Sequence, residues 1–495
     1  MKRKVIVIGG GIAGLSAGIY AQRCGFDVTI LESHSIAGGN CTSWKRKGYL
    51  FEGGMHWLTG SNPNEPVHKL WQTVGALDDS VTIHCPEPFM EYNHHGTPIR
   101  LYRNVDTTEK HLISVSPADE KEIKRLCGNI RKVQNLMTPI TDIRGVKVTQ
   151  KSRPSIGLLF SSLSAMHLMK SFANVSRDEY VNRFSHEGLR CLIRSCTDDG
   201  MGVVPLFFTF GTLARGDGGF PEGGSLPFVE RMVKTFTGAG GTLLLSTPAE
   251  RVLIENGGAV DVVVGGERRM PADAVIVTAD TLAIDHLFDA PLKSPWLDQM
   301  RKVTKPTMNV LLSFGIDADL KQYNRGCIFQ PDKPIHVGRQ TYEYIAFTNY
   351  SHDPVYSPKG KTALTVSLSG DTYDFWLKAK EEDRYEAEKQ RLADLVTETL
   401  AALIPETSGR VEVCDVATPL TYVRYCGNWK GSWMTDMTRD IRAESYPAVI
   451  KGLSGVYFAG QRMMPPGGLP VALMSGRTAV QYLCRDTDTV FVSEA

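Results

Sequence analysis

Three glycines in the order G-x-G-x-x-G, at Gly9, Gly11 and Gly14, and a carboxylate at Glu32 are the residues whose types and spacing best fit chemistry. Gly9 permits a tight turn, Gly11 lets backbone approach a pyrophosphate, and Gly14 lets the next helix lie against its strand. The N–H groups that open this helix, at Ile12 and Ala13, present a positive end to phosphates. Glu32, with Ser33 beside it, can accept both ribose hydroxyls, and its charge would repel a 2′-phosphate. That argues for NAD or FAD over NADP. The elements around these residues fit the task. Val5-Ile6-Val7-Ile8 reads as a strand buried on both faces of a parallel sheet, a helix runs from about Ala13 to Cys24, and Phe26 to Leu31 reads as the second strand.

A second glycine pair, Gly38-Gly39, precedes Asn40 and would close backbone amides on the pyrophosphate from the other side. A simple nicotinamide dehydrogenase does not need this, so the expected cofactor is FAD. Tyr49-Leu50-Phe51 reads as a strand, and Gly53-Gly54 would leave room for a flat ring before Met55, His56 and Trp57. His56 has two readings: a proton donor or orienting group beside the flavin, or a turn histidine hydrogen-bonded to backbone. Trp57 reads as packing rather than catalysis.

The chain of 495 residues suggests two or three domains. Its 55 Lys and Arg against 54 Asp and Glu create no global field that favours nucleic acid. The ten cysteines contain no C-x-x-C pair, so free thiols in a reducing cytoplasm are expected and no metal site. No run approaches the roughly 18 apolar residues of a membrane span.

Further along, Pro154 to Ala173 places Leu159, Leu163 and Met166 on one helical face, as a greasy lid that touches a membrane or lines a tunnel, or as a helix packed on a core. Asp198-Asp199 reads as loop or capping chemistry. A helix after Gly224 carries Leu226, Val229, Val233 and Phe236 on one face, and Leu243 to Val252 returns to the parallel sheet with Arg251-Val252 near the adenine. Ala274 to Val277 is another buried strand, ending in Thr278, Ala279 and Asp280, and a helix covers about Glu382 to Leu403. Val456 to Ala459 is a strand that Gly460 and Gln461 follow. The turn Pro465 to Gly468 then feeds a helix, with Leu469 and Val471 in its first turn, whose N–H groups would face the flavin pyrimidine edge. The fold expected is α/β, with a Rossmann-type FAD domain assembled from residues 1–90, 215–290 and 426–495. An α+β substrate domain from 91–214 and 291–425 is inserted between them.

The motifs VIGGGIAGLSAG, GYLFEGGMHWLTG, GGFPEGGS, TPAERV and FAGQRMMPPGGLPVALMSGRTA together resemble the phytoene desaturase, carotenoid isomerase and retinol saturase superfamily, over essentially the whole chain. Two departures stand out: Asn40 where many members carry Arg, and the altered run Gln461-Arg462-Met463-Met464. The resemblance implies hydride transfer between flavin N5 and a carbon of a lipophilic polyene or isoprenoid, in the direction of desaturation or saturation, with His56 as acid or base. The electron partner is unidentified. The alternatives are a redox-neutral double-bond isomerase, an amine oxidase, and a non-enzymatic binder of lipidated proteins. Peripheral membrane contact fits a lipophilic substrate.

Overall fold

The computed structural model describes residues 2–137, 140–150, 165–196, 202–436 and 444–493. At its centre is a five-stranded parallel sheet in the order Val456–Phe458, Ala274–Val277, Lys4–Ile8, Asp27–Leu31, Thr242–Leu244. Lys4–Ile8 and Ala274–Val277 read as unbroken apolar runs because both faces are covered, and Val5, Val7, Val275 and Ile276 are at most 1 % exposed. Each such side chain contributes about 1.5–3 kcal/mol by burial.

Two helices cross on one face. Helix Ile12–Arg23 lies against the strands because Gly14 has no side chain, and a Cβ there would stand 1.9 Å from Gly9 O. Helix Leu469–Asp486 then lies on the first helix. A Cβ at Gly476 would come within 2.4 Å of Ala13 O, and Ser16 Oγ donates to Leu473 O at 2.8 Å. A third helix, Ser225–Gly238, buries Phe228, Val229, Met232 and Phe236. The expected stripe was offset: Leu226 and Val233 stay half-buried, and Phe228 and Met232 take their place in the core.

The return to the parallel sheet after Gly241 is shorter than the sequence suggests. Thr242–Leu244 forms its edge strand, but Ala249–Glu255 belongs to a separate three-stranded antiparallel sheet, paired with Gly258–Val264. Asn256 and Gly257 turn that hairpin with positive φ, which their types tolerate.

A second layer is a seven-stranded mixed sheet. Its strands are Met90–His94 and Thr97–Leu101, followed in sequence by Asn309–Ile316, Gly326–Phe329, Ile345–Asn349, Thr362–Ser369 and Val411–Ala417. The helix expected over 382–403 is Tyr385–Leu403, preceded by a separate helix Tyr373–Glu381, and its Leu392, Val396 and Leu400 are buried against the sheet. The hairpin Ser43–Arg46 with Tyr49–Glu52 joins the layers, because Tyr49, Leu50 and Phe51 share a core with Tyr350 and Tyr356.

Of the greasy stretch 154–173, residues 154–164, with Leu159 and Leu163, lie outside the described residues, as does Asp198-Asp199. Over 165–172 the chain is helical, and it buries Ala165, Leu168 and Phe172 while Met166 is 63 % exposed. Met166 is therefore not on the buried face. Among the described residues, no helix is long and apolar enough to cross a membrane.

Candidate functional site

The carboxyl ends of the central strands converge on a backbone track. Gly9, at φ +106°, turns the chain out of its strand, and its N–H donates to Leu31 O. Gly38, at φ +126°, donates to Gly10 O at 2.9 Å and so brings the second glycine pair alongside the first. The glycines here divide into two kinds. Gly14 and Gly38 are crowded, with a Cβ meeting backbone oxygen at 1.9 and 2.4 Å, and so serve packing. Gly11, Gly39, Gly460 and Gly468 are not crowded in this way, since the nearest atoms to such a Cβ stand at ordinary contact distance, 3.5 to 3.9 Å. A track of uncrowded glycine backbone suits a ligand held by main-chain groups.

Both helices that start at this track lack a side-chain cap, Ile12–Arg23 after Gly11 and Leu469–Asp486 after Gly468. Their first-turn N–H groups, at Ile12, Ala13 and Leu469, remain for an anionic or polar partner. Val471, 6 % exposed, packs behind them. Glu32 ends the second strand 7 % exposed, with Oε2 accepting from Gly10 N at 2.6 Å and Oε1 from His34 N at 2.8 Å. Ser33 Oγ lies 3.3 Å from Oε1. The carboxylate is thus held rigidly, and each oxygen has acceptor capacity left for ribose hydroxyls. Asn40 Oδ1 accepts from Asn428 Nδ2 at 2.7 Å, a neutral contact where an Arg would carry charge.

Other expected contact residues have side chains that are buried or already engaged. Asp280 is taken up by Arg462, whose Nε and Nη2 donate to its two oxygens at 2.6 and 2.8 Å, and by Trp429 N at 3.0 Å. Its side chain is 3 % exposed, so it orders the loop and is not a free ligand. Ala279 beside it keeps partial exposure on the track. Gln461 Oε1 is buried without a partner, an orphan acceptor at the same turn. Val252 is 1 % exposed in the core, while Arg251 is exposed 3.7 Å from Asp289. Met55 is 2 % exposed, and the Trp57 ring packs on Phe89 at 6.1 Å and over Gly218. Gly53-Gly54 does not leave room for a flat ring on its Cβ side. Trp44 would stand 2.4 Å from a Cβ at Gly53, and Asn40 O 2.1 Å from one at Gly54.

What shapes this loop is Glu52, which is fully buried. It accepts six hydrogen bonds, from Gly54 N, Met55 N, Ser43 Oγ, Ser225 N, Ser225 Oγ and Tyr356 Oη. One carboxylate therefore ties the hairpin, the start of helix Ser225–Gly238 and the second layer together. His56 hangs from this anchored loop. Its ring carries accessible surface and makes no hydrogen bond among the described residues, with Trp433 at 6.2 Å. The turn histidine bonded to backbone is not what the structure contains. Desolvation by the surrounding protein pushes the imidazole below its ordinary value, Arg325 adds to this, and Glu52 opposes it. His56 keeps accessible surface while the surrounding protein holds it toward its neutral form, so it is able to take a proton.

Arg325 stacks between Phe220 and Tyr350, its guanidinium carbon 3.6 and 4.8 Å from the ring centroids. It lies just before strand Gly326–Phe329, and no motif marks it. The roles of Glu52 and Arg325 are not legible in the sequence because their partners lie up to several hundred residues away, although FEGG and FPEGG each put an acid beside a glycine pair. The fold also gathers His84, Glu222 and Asp353, with ligand atoms within 4.8 Å of one another, where no metal was expected. Asp353 is already engaged by Gly223 N and Val355 N.

A family model described as flavin containing amine oxidoreductase matches residues 12–484. The chain is 21 % identical to all-trans-retinol 13,14-reductase of Danio rerio over 93 % of its length and 82 % of that protein. It is 24 % identical to prolycopene isomerase 2 of an Oncidium hybrid cultivar, over 97 % of this chain and 84 % of the isomerase. With the 4,4'-diapophytoene desaturase (4,4'-diapolycopene-forming) of a Methylomonas species it shares 21 % identity, across 97 % and 95 % of the two chains. Among solved structures, an oxidoreductase from Methanosarcina mazei superposes with a TM-score of 0.60 at 17 % identity, covering 97 % of this chain and all of that one.

Proposed function

The chain belongs to the flavin containing amine oxidoreductase family and is an FAD-dependent oxidoreductase, and on that premise we propose that it acts on carbon–carbon bonds of a lipophilic polyene or isoprenoid, in the desaturating direction. The observation that carries this reading is the His56 imidazole, without a hydrogen bond among the described residues and pushed toward its neutral form by burial, on a loop that Glu52 holds fixed. The named relatives act on retinol, prolycopene and diapophytoene, which supports a conjugated apolar substrate.

Under this reading FAD lies along the track, with Glu32 at the ribose and the N–H groups of Ile12 and Ala13 and the Gly38-Gly39 turn at the pyrophosphate. Leu469 and its neighbours take the pyrimidine edge. When bound, FAD supplies hydride acceptance or delivery at N5. The residues of the chain supply the rest. Desaturation releases a proton from the substrate, and a neutral imidazole is poised to hold it, whereas the saturating direction would need His56 charged first. Trp433, half-buried with its ring 6.2 Å from that of His56, offers aromatic surface against which an apolar chain is bound by buried area. The division into an FAD domain of 1–90, 215–290 and 426–495 and a substrate domain of 91–214 and 291–425 belongs to the same reading. So do a cytoplasmic location and peripheral contact with a membrane, which the exposed Met166 and Met169 favour. A single dinucleotide fingerprint leaves the second substrate to a quinone, oxygen or a partner protein.

Amine oxidation is disfavoured by charge. Arg325 acts on His56, and a cation there repels a substrate ammonium. The decisive experiment incubates the purified flavoprotein, oxidised and pre-reduced, with carotenoids, retinoids and polyunsaturated fatty acids and follows product mass. Loss of two hydrogens is expected. Gain of two hydrogens would reverse the direction, unchanged mass with altered geometry would make the protein an isomerase like its prolycopene-converting relative, and no product from any polyene would end the reading.

A further inference from the structure

Arg325 is the most conspicuous charged group that the chemistry above leaves without a task. It is 7 % exposed, and Nε is buried with no hydrogen-bond partner. Its terminal nitrogens form no hydrogen bond or ion pair among the described residues. Buried arginines elsewhere in the molecule are paired or bonded: Arg462 with Asp280, Arg477 with Asp142, and Arg103 with the carbonyls of Asp217 and Gly218. A desolvated guanidinium without an anion is costly, and stacking on two rings offsets only part of that cost.

The carboxylate that could answer it does not. Glu52 acts on the same tyrosines, Tyr350 and Tyr356, as Arg325 does, yet it is saturated by its six donors and lies beyond ion-pair distance. Arg325 also acts on His56. Its charge is therefore felt at His56, while Phe220 and Tyr350 flank the guanidinium itself.

Resting on the polyene reading, we propose that Arg325 is the anchor for a carboxylate at one end of the substrate, so that the preferred substrates are unsaturated or polyene carboxylic acids rather than neutral hydrocarbons or alcohols. A planar guanidinium matches a carboxylate through two parallel hydrogen bonds. One cation neutralises one unit of charge, which suits a carboxylate and leaves a diphosphate under-compensated. The two stacked rings hold the fork in one orientation, so the acid is fixed. Anchoring one end fixes which bond lies beside His56, so the position of reaction is counted from the carboxyl group.

The test titrates the holoenzyme with all-trans-retinoic acid, its methyl ester and geranylgeranyl diphosphate, and follows the flavin absorbance. In the wild type the acid is expected to bind about 10- to 100-fold more tightly than the ester, the range of a charge-assisted pair. Arg325→Gln should erase that preference while ester affinity stays within about threefold, and Arg325→Lys should restore part of it. The wild-type comparison needs no variant to fold. Equal affinity for acid and ester, or equal loss of both in Arg325→Gln, overturns the anchor and leaves the polyene reading standing. Tighter binding of the diphosphate than of the acid overturns the carboxylate assignment. Binding of none of the three overturns the anchor and the polyene reading together.

Discussion

Arg462 and Asp280 form a bidentate ion pair in which the side chains are 1 % and 3 % exposed, linking the turn after one central strand to the turn after its neighbour. Ser432 Oγ and the Trp429 N–H complete the cluster. Removing one partner strands the other as a buried charge. Asp280→Asn or Arg462→Met is expected to cost about 3–5 kcal/mol, and the double substitution less than the sum. Denaturant unfolding of the set measures this, and strict additivity would show that the pair is not coupled.

Glu52→Gln replaces an acceptor of six hydrogen bonds with a group that must turn an NH2 toward donors. A loss of about 3 kcal/mol is expected, together with lower flavin occupancy, because the loop through His56 loses its anchor. Thermal melts and the flavin-to-protein absorbance ratio report the two effects. Unchanged occupancy would mean that the loop holds itself.

Gly11→Ala and Gly476→Ala should part company. At Gly11 the nearest atom to a Cβ is 3.7 Å away and φ is −74°, so alanine fits the apoprotein and intrudes only on the ligand volume. Apoprotein stability should move by less than about 0.5 kcal/mol while flavin binding collapses. At Gly476 the Cβ meets Ala13 O at 2.4 Å, so the two helices must separate at a cost of about 1–3 kcal/mol. Melting the apoproteins beside a flavin titration tells them apart.

The acidic limb of kcat/KM is expected below the ordinary histidine value of 6.5, because burial first and Arg325 second push His56 down. Activity should hold as pH falls through 6.5 and drop only below it. Arg325→Gln should move the limb upward, and His56→Gln should lower kcat by about 10²–10⁴. The same depression sets a stability trend: the unfolded chain takes up the proton near 6.5 while the folded one does not, so His56 lets stability fall as pH drops from there toward its folded value. A limb above 6.5 would contradict the assignment of His56 as a neutral base.

Local chemistry carried much of this site. The turn at Gly9, the crowding at Gly14 and the carboxylate at Glu32 lie within one strand, turn and helix, where sequence spacing converts directly into geometry. Glu52 and Arg325 were illegible for the opposite reason, since Glu52 meets Ser225 and Tyr356, and Arg325 meets Phe220, only after distant segments pack. Gly53-Gly54 misled because a glycine that admits a ligand and one that admits a tryptophan look alike in sequence. The run Leu243 to Val252 differs because the edge strand ends at Leu244 and Ala249 starts a separate sheet. The face of helix Ser225–Gly238 was off by part of a turn, a difference that packing against Trp71 and the parallel sheet decides.

The strand order of the parallel sheet has a consequence for synthesis. Lys4–Ile8 leaves the ribosome early, yet its neighbour Ala274–Val277 follows only after more than half the chain, and Val456–Phe458 later still. At about 5–20 residues per second, an apolar strand edge waits for a large fraction of a minute before it is covered. The nascent chain is therefore a natural client for holding chaperones. Slower elongation through the first half should raise aggregation, and the proposed FAD track needs both Leu469–Asp486 and Ile12–Arg23 in place.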